Sequence, residues 1–435
     1  MDPLQLALVG TAAMFVLIAV HVPIGAAMTV VGVAGVAAIL DWSAASSLFA
    51  TVPSSILSNS ELATIPLFLL MGSFAGSAGL SSDLYRLAYA LVGQYRGGLA
   101  MATIGGCAGF GAICGSSIAT ATTFTRVALP EMIDRRYDPG LAAGCCAAGG
   151  TLGILIPPSI ILVLYAVLTE QFVLTLFAAA VVPGIIAVVL YLISINLYVR
   201  LRPGIAPPGP RLAWSERGRI VLQCWRVLVL AFIVSGGIYA GIFTVEEAAA
   251  VGASLAFFFA LVRGLSFADV VDVLKETASN TGLIYLIMVG ASVFTYFMTL
   301  TRMPDAIVAA IEAGGFPPLV VILLLLVMYL ILGSVFDTVA AMIITLPVVF
   351  PVILSLGYDP IWWGVMNVMV IEIGMITPPI GMNVFIIHGL IPDISLRKIF
   401  GGIVPFLCAD IVRLALLLAV PGIALWFPEL IGVLH

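Results

Sequence analysis

Four short segments rich in Gly, Ser and Thr interrupt long apolar runs, and these segments carry the chemistry that the sequence offers. Two contain clustered Gly and Ser, at Gly115–Ser117 and Gly333–Thr338, and two contain a Pro-Pro pair, at Gly153–Ser159 and Gly374–Gly381. A helix broken at membrane depth leaves backbone groups that lipid cannot satisfy, so such breaks persist where they line a cavity or bind an ion. Freed carbonyl and hydroxyl oxygens suit a small hard cation such as Na⁺, and helix N-termini suit an anion.

These segments supply the candidate site residues. The predicted cation-binding residues are Gly115, Ser116, Ser117, Gly153, Gly333, Ser334, Asp337, Thr338, Gly374 and Thr377. The predicted substrate-binding residues are Thr120, Arg126, Pro157, Pro158, Ser159, Pro378, Pro379 and Asn383.

The same residues also allow simpler interpretations. Gly and Ser permit close packing between helices in membranes. Asp337 could serve as a helix cap, and Arg126 could pair with an acidic neighbour. Glu372, just before the second Pro-Pro break, could be a cation ligand or a proton site.

Composition places the chain in a membrane. Of 435 residues, 62% are hydrophobic and 9% are charged, with 17 Lys and Arg against 22 Asp and Glu; the mean hydropathy is +1.23. Soluble domains are about 25% charged, which excludes a soluble enzyme, a nucleic-acid binder and a disordered chain. The six Cys and three His are scattered, so no transition-metal site is predicted. The first apolar run lacks the features of a cleaved signal peptide, and we expect it to be retained.

The apolar runs predict about ten crossing helices. They lie near Leu4–Val20, Pro23–Leu40, Leu62–Leu80, Leu141–Leu168, Phe172–Val199, Ile220–Phe243, Glu247–Val262, Gly282–Leu300, Ile361–His388 and Phe400–Phe427. Two further stretches, 98–134 and 317–356, are broken in the middle, and we predict that each is a re-entrant helical hairpin.

The basic residues predict the orientation, because cytoplasmic loops are enriched in Lys and Arg. With both termini in the periplasm, the cytoplasmic side holds Arg86, Arg96, Arg135, Arg136, Arg200, Arg202, Arg211, Arg217, Arg219, Arg263, Lys275, Arg397 and Lys398. Only Arg302 then lies on the outer side. The first hairpin enters from the cytoplasm and the second from outside.

An internal duplication supports this arrangement. Tyr137-Asp138-Pro139 recurs as Tyr358-Asp359-Pro360, an offset of 221 (358 − 137), and the Gly-x-x-x-Pro-Pro pattern at Gly153 recurs with the same offset at Gly374. Five crossings per copy make the two repeats inverted in the membrane. The predicted organisation is a first repeat over 1–199 (hairpin 98–134, broken helix 141–168), a cytoplasmic linker over 200–219, and a second repeat over 220–435 (hairpin 317–356, broken helix 361–388).

Several of these segments resemble the large membrane subunit of the tripartite ATP-independent periplasmic (TRAP) transporters. The resemblance rests on Gly105–Thr123, the two Gly-x-x-x-Pro-Pro breaks and Gly241–Ala250, and it extends over nearly the whole chain. In the last of these segments, Gly241–Ala250, the family usually has the sequence Thr-Pro-Thr-Glu-Ala. This chain has Thr244-Val245-Glu246-Glu247-Ala248 instead.

The resemblance implies an all-α, elevator-type importer of organic anions of the C4-dicarboxylate type. It implies Na⁺ as the coupling ion, no other cofactor, and a place in the bacterial inner membrane. The implied partners are a small four-helix membrane subunit, here a separate chain, and a soluble periplasmic substrate-binding protein. The alternative is a self-sufficient Na⁺/dicarboxylate carrier or an antiporter of similar architecture. An intramembrane enzyme is disfavoured, because the sequence has no HExxH motif and no Ser or Cys with a plausible His base.

Overall fold

The computed structural model describes residues 2–434, and among these residues the regular structure is entirely helical. In chain order the first helices are α1 (Pro3–Ala19), α2 (Ile24–Ile39), α3 (Trp42–Leu57), α4 (Thr64–Ser77), α5 (Leu80–Val92), α6 (Gly98–Cys114), α7 (Ser117–Val127), α8 (Leu129–Asp134), α9 (Pro139–Leu155), α10 (Ile160–Thr169) and α11 (Val173–Leu201). The others are α12 (Trp214–Gln223), α13 (Trp225–Ala231), α14 (Gly237–Tyr239), α15 (Val245–Val262), α16 (Phe267–Leu300), α17 (Met303–Ala313), α18 (Pro318–Val335), α19 (Thr338–Ser355), α20 (Pro360–Gly374), α21 (Met382–Leu390), α22 (Leu396–Ala419) and α23 (Gly422–Leu430). A 3₁₀ turn, Ser60–Ala63, precedes α4, and a π-helical turn, Phe232–Gly236, joins α13 to α14.

Seven of the described helices are long and apolar enough to cross a membrane, or nine if each of two bent pairs forms one span. The sequence predicts ten crossings and two hairpins. The numbers differ because α1, α2 and α20 are shorter than 18 residues, whereas both arms of the second predicted hairpin, α18 and α19, are long and apolar enough to count as spans. Helix α16 begins at Phe267 rather than near Gly282, since a capping box of Ser266 and Asp269 starts it in a polar segment. The predicted span 400–427 is two helices, broken at Pro421, and α3 was not predicted.

Each interrupted stretch is a helical hairpin with a two-residue tip. In the first, α6 ends at Gly115, whose φ of 62° suits glycine, and the Ser116 side chain caps α7. In the second, the Asp337 side chain caps α19. The arms fold back on each other: the Phe110 and Phe124 ring centroids lie 6.1 Å apart. In the second hairpin the Tyr329 and Thr345 hydroxyl oxygens lie 2.6 Å apart.

The two Pro-Pro pairs lie in the connections of two broken helices. Helix α9 ends at Leu155, α10 begins at Ile160, and the two are bent by 41°. Helix α20 ends at Gly374, and α21 begins after Gly381, whose φ is 66°. Proline has no N–H to continue a helical ladder, which explains why both helices stop here.

The linker between the two repeats lies against the base of the first hairpin. The Asp138 N–H donates to the Ile205 carbonyl at 2.8 Å, and the Gly209 N–H donates to the Gly93 carbonyl at 3.0 Å. The Tyr137 hydroxyl donates to the Pro207 carbonyl at 3.1 Å. These bonds satisfy backbone groups of a proline-rich segment that forms no helix.

A buried ionic cluster joins three helices behind the first break. The Arg413 guanidinium pairs with Asp410 at 2.7 Å, and these side chains are only 2% and 1% exposed. The Tyr191 hydroxyl on α11 donates to both Asp410 oxygens, at 2.8 and 3.0 Å, and lies 3.3 Å from the Thr151 hydroxyl on α9. Each charge therefore has a partner of opposite sign or a hydrogen bond, which burial in this position demands.

The helices pack most closely at glycines. A Cβ atom on Gly144 of α9 would lie 2.6 Å from the Gly402 carbonyl carbon of α22, and a Cβ atom on Gly402 would overlap the Gly140 carbonyl group. Between α2 and α16, a Cβ atom on Gly290 would lie 2.9 Å from Gly25 Cα. Such contacts are typical of membrane helices, whose association depends on close backbone approach.

Adjacent glycines on α22 provide a matched test of this packing. We expect Gly402→Ala to destabilise the protein by about 1–3 kcal/mol, because its methyl group meets the α9 backbone. A methyl group at Gly401 would meet no atom within 4 Å, so Gly401→Ala should leave the thermal midpoint in detergent unchanged or slightly higher. Equal shifts for the two variants would contradict the close approach of α9 and α22.

The ionic cluster gives a second prediction. Asp410→Leu leaves the Arg413 charge buried without its carboxylate, and we expect a loss of about 3–5 kcal/mol in unfolding free energy. The double variant Asp410→Leu/Arg413→Met should recover most of that loss. As a control, Asp272→Leu removes a pair with Lys275 whose side chains are 78% and 74% exposed, and it should cost under about 1 kcal/mol. A double variant no more stable than Asp410→Leu would argue against the pairing.

Candidate functional site

The two hairpin tips line one cavity of about 530 Å³. Ser116 comes from the first tip and Asp337 from the second, and Ser117 and Thr338 are the first residues of the helices that follow them. The opposite wall consists of residues 21–25, where α2 begins, and of α16 residues between Asn280 and Ile287. The cavity therefore separates the two tips from helices α2 and α16.

The first hairpin packs directly on the first broken helix, through backbone groups and the Thr120 side chain. A Cβ atom on Gly111 would lie 2.7 Å from Gly153 Cα, and one on Gly153 would overlap the Thr120 hydroxyl and lie 2.8 Å from the Ser116 carbonyl oxygen. A Cβ atom on Gly115 would lie 2.9 Å from the Pro158 carbonyl oxygen. The close contact brings the carbonyl groups of tip and break together.

The second tip packs on the second broken helix in the same manner. A Cβ atom on Gly374 would lie 2.8 Å from Gly333 Cα. The Gly381 N–H donates to the Ser334 carbonyl at 3.0 Å. The two halves of the chain thus use the same kind of contact between a tip and a break.

Asn383 connects the two halves. Its Nδ2 donates to the Ser117 hydroxyl oxygen at 2.9 Å and to the Ala147 carbonyl at 3.4 Å. Asn383 is the second residue of α21, and Ser117 is the first residue of α7. This bond therefore joins residues that are 266 positions apart in the sequence. The tips and breaks of both halves form one polar cluster.

Glu372 lies at the centre of this cluster. Its side chain is 1% exposed, and Oε1 accepts a hydrogen bond of 2.6 Å from the Thr338 hydroxyl. Its other oxygen, Oε2, has no hydrogen-bond partner among the described residues. A buried carboxylate of this kind needs a cation, a proton or a further donor. The signal in the sequence is an acidic residue inside an apolar run, two positions before Gly374.

The structure separates the predicted site residues into groups. Gly115, Ser116, Ser117, Asp337 and Thr338 line the cavity. Gly153, Gly333, Ser334, Gly374 and Asn383 lie at the contacts between tips and breaks described above. Asp337 is a helix cap, because its Oδ1 accepts from the Ala340 N–H at 3.3 Å. The residue also lines the cavity, and its role as a cation ligand stays a prediction.

Of the other predicted residues, Thr120 and Pro158 lie at the contact between the first tip and the first break, and Thr377 and Ser159 make local hydrogen bonds. The Thr120 hydroxyl donates to the Ser116 carbonyl at 2.8 Å, and the Thr377 hydroxyl donates to the Ile373 carbonyl at 2.6 Å. Ser159 is buried and caps α10, where its side chain accepts from the Leu162 N–H at 3.5 Å. Pro158 contributes its carbonyl oxygen near Gly115.

None of the eight predicted substrate-binding residues lines the cavity, and four of them also lie outside the cluster of tips and breaks. Pro157 lines a separate apolar groove with Gly184 and Tyr239, and Pro378 and Pro379 are exposed. Arg126 is also exposed and lies about 15 Å along helix α7 from the tip. The side chains facing the cavity come from the tips rather than from the Pro-Pro pairs.

The chain matches known transport proteins over most of its length. The family described as "Tripartite ATP-independent periplasmic transporter, DctM component" matches residues 11–423. The chain is 33% identical to the C4-dicarboxylate TRAP transporter large permease protein DctM of Vibrio cholerae, over 88% of this chain and 89% of the relative. It is 35% identical to the protein of the same name from Pseudomonas aeruginosa, over 85% and 87% of the two chains. Other relatives are named for isethionate, sialic acid and ectoine.

A solved structure has a similar fold. The Alcanivorax borkumensis YdaH transporter aligns with a TM-score of 0.60 and 15% identity, covering 88% of this chain and 89% of that one. This likeness, the apolar helices and the absence of strands among residues 2–434 establish an all-α polytopic membrane fold. The family match and the identity to large permease proteins establish a transport protein rather than an enzyme: the chain belongs to the family of TRAP transporter large permease subunits, the DctM component.

Proposed function

We propose that this subunit forms the path for a Na⁺-coupled import of small organic anions. The observation that supports this most is the charge of the cavity shared by the two tips. Asp337 lines it and Glu372 lies behind Thr338, whereas no Lys or Arg of residues 2–434 lines it. An anion entering this cavity is repelled by the carboxylates until cations bind. Cation binding would therefore raise the affinity for the anion, which is the coupling that a symporter requires.

The cation ligands that we propose are oxygen atoms of the tips and breaks. Hydroxyl oxygens of Ser116, Ser117 and Thr338 lie with the Asp337 carboxylate around the cavity, and carbonyl oxygens of the breaks lie directly behind the tips. Hard cations prefer oxygen ligands of this kind. We further propose that Glu372 supplies the negative charge for one cation, since its Oε2 has no partner among the described residues.

The anion itself is expected at the starts of the two returning helices. Helix α7 begins at Ser117 and α19 at Thr338, both on the cavity wall. Helix N-termini present free N–H groups and a partial positive charge to an anion. A C4-dicarboxylate is the substrate class that we favour, because the relatives at 33% and 35% identity are named for it.

The transporter would work in the bacterial inner membrane with two partners, as large subunits of this family generally do. We propose a separate small four-helix membrane subunit and a periplasmic substrate-binding protein that delivers the anion. Both termini would lie in the periplasm and the linker 200–219 in the cytoplasm, following the distribution of Lys and Arg. The small subunit would dock on the exposed apolar faces of 4–40 and 220–262, which include Phe232, Phe258 and Leu261.

Transport would occur by an elevator motion of two inverted repeats. The hairpins and broken helices, 98–168 and 317–388, would move as one body, which the Asn383–Ser117 bond supports. Helices α1, α2, α15 and α16 would stay fixed as a frame. In the proposed orientation the cavity lies beside the cytoplasmic end of α2 and the cytoplasmic half of α16, as expected for an inward-facing state.

Uptake should depend on Na⁺, and Asp337 gives a sharp test. Asp337→Asn retains a side chain that caps helices well but removes the charge, so the Na⁺ concentration for half-maximal uptake should rise by roughly tenfold. Uptake of labelled succinate would be measured in proteoliposomes containing both membrane subunits and the binding protein. The control is Asp359→Asn, since Asp359 caps α20 by accepting from Ile361 and Trp362 at 2.8 and 2.9 Å and does not line the cavity.

Full uptake with a proton gradient and no Na⁺ would refute Na⁺ coupling. Full uptake without the binding protein would instead favour the self-sufficient carrier.

The elevator motion predicts different effects for two crosslinks that share one residue. Val339, Ile118 and Ile287 all line the cavity, and the exposed native Cys408 would be replaced by Ser. A bifunctional thiol reagent joining Val339→Cys to Ile287→Cys links the moving body to the frame and should stop uptake. The same reagent joining Val339→Cys to Ile118→Cys links two tips of one body and should be better tolerated. Unchanged uptake after complete formation of the first crosslink would exclude the elevator.

A further inference from the structure

A second cavity lies further along α16, beside Arg302, which the distribution of Lys and Arg places on the proposed outer side. It has a volume of about 260 Å³ and is lined by Thr295, Thr299 and Arg302, where α16 ends and α17 begins. Its opposite wall is the returning arm of the second hairpin, including Ile343 and Phe350 of α19. No carboxylate of the described residues lies within ion-pair distance of Arg302.

One row of α16 side chains connects the two cavities. Leu283 and Ile287 line the first, and Ala291, Thr295 and Thr299 line the second. Residues four apart are neighbours on a helix surface and form a continuous ridge. The same ridge therefore faces the tip of the second hairpin in one cavity and its arm in the other. From Ile287 to Thr295 the distance along the helix is about 12 Å, so an outward shift of that size would bring the tip to the second cavity.

The second cavity has the chemistry for a carboxylate. The Arg302 guanidinium presents a planar set of N–H donors that matches both oxygens of a carboxylate. The Thr299 hydroxyl donates to the Thr295 carbonyl at 2.9 Å, and hydroxyl groups can rotate toward another acceptor. Asp305 also lines the cavity; it lies in the first turn of α17, where the helix N-terminus stabilises its carboxylate.

We propose that Arg302, Thr295 and Thr299 form an outer anion site that receives a carboxylate group of the substrate in the outward-facing state. This inference rests on the proposed function, because the proposed function defines which side is outside and that the substrate is an anion. The outer site attracts the anion through the Arg302 guanidinium, with the Asp305 carboxylate opposing it on the same cavity wall. The cavity at the tips, in contrast, has no Lys or Arg of residues 2–434 in its lining and accepts the anion only together with cations. The two sites would thus act in sequence along one ridge of α16.

The charge of this site can be measured without a transport assay. In a Cys408→Ser background, Thr299→Cys would react in detergent with an anionic and a cationic methanethiosulfonate reagent. Arg302 should favour the anionic reagent, and Arg302→Gln should lower the ratio of the two rates by roughly threefold or more. Arg397→Gln, which removes an exposed arginine at the start of α22, should leave the ratio unchanged. A ratio unaffected by Arg302→Gln would overturn the proposal.

Uptake kinetics test the role of the site in transport. With labelled succinate, or with N-acetylneuraminate or isethionate if wild type transports one of these instead, Arg302→Gln should raise the KM by roughly tenfold with little change in kcat. Arg302→Lys should give an intermediate KM. If wild type takes up the anion normally and Arg302→Gln has an unchanged KM, the proposal of an outer anion site would be overturned, and the proposed function would not be affected. Failure of wild type to transport any of these anions would instead contradict the proposed function, and the thiol result would still decide whether Arg302 attracts anions.

Discussion

The site depends on the direct contact between two hairpin tips and two broken helices. At Gly111 with Gly153, and at Gly333 with Gly374, no side chain separates the two backbones. A larger residue at any of these positions would push the tip away and remove the carbonyl oxygens of the break from its neighbourhood. The small residues therefore allow close packing, and this packing brings polar backbone groups together; that these groups bind an ion stays a prediction.

Charge is distributed differently in two buried polar regions of the protein. Asp410 and Arg413 pair with each other and Tyr191 donates to the carboxylate, so this cluster joins α9, α11 and α22, although Arg413 Nε and Nη1 have no hydrogen-bond partner among the described residues. Glu372 accepts a hydrogen bond from Thr338, and its other oxygen has no partner among the described residues. The first region contains two opposite charges in contact, whereas the Glu372 carboxylate forms no ion pair among the described residues, which makes it the candidate for ion binding.

The two halves are alike in sequence but do not contribute equally. Both have a tip, a break and a Pro-Pro pair at matching positions, yet Pro157 and Pro158 are buried whereas Pro378 and Pro379 are exposed. Asn383, from the second half alone, reaches across to the first tip. The linker likewise hydrogen-bonds to the base of the first hairpin at Gly93 and Asp138. The duplicated sequence therefore forms the same elements twice, and the two copies differ in burial and in hydrogen-bond partners because they pack against different neighbours.

The sequence by itself determined the membrane class, the family and the four interruptions where the tips and breaks lie. Hydropathy, the repeated Gly-x-x-x-Pro-Pro pattern and the Gly and Ser clusters are local properties that can be read along the chain. A single proline was not enough to end a helix, because Pro183, Pro347 and Pro405 lie inside helices. Only the tertiary structure decided which side chains meet. Ser117 and Asn383 are 266 residues apart, Thr338 reaches Glu372, and Arg126 is exposed and does not line the cavity although it follows the tip closely in sequence. Helical periodicity gives the spacing of side chains along one helix, but the face that lines a cavity depends on which distant helix packs beside it.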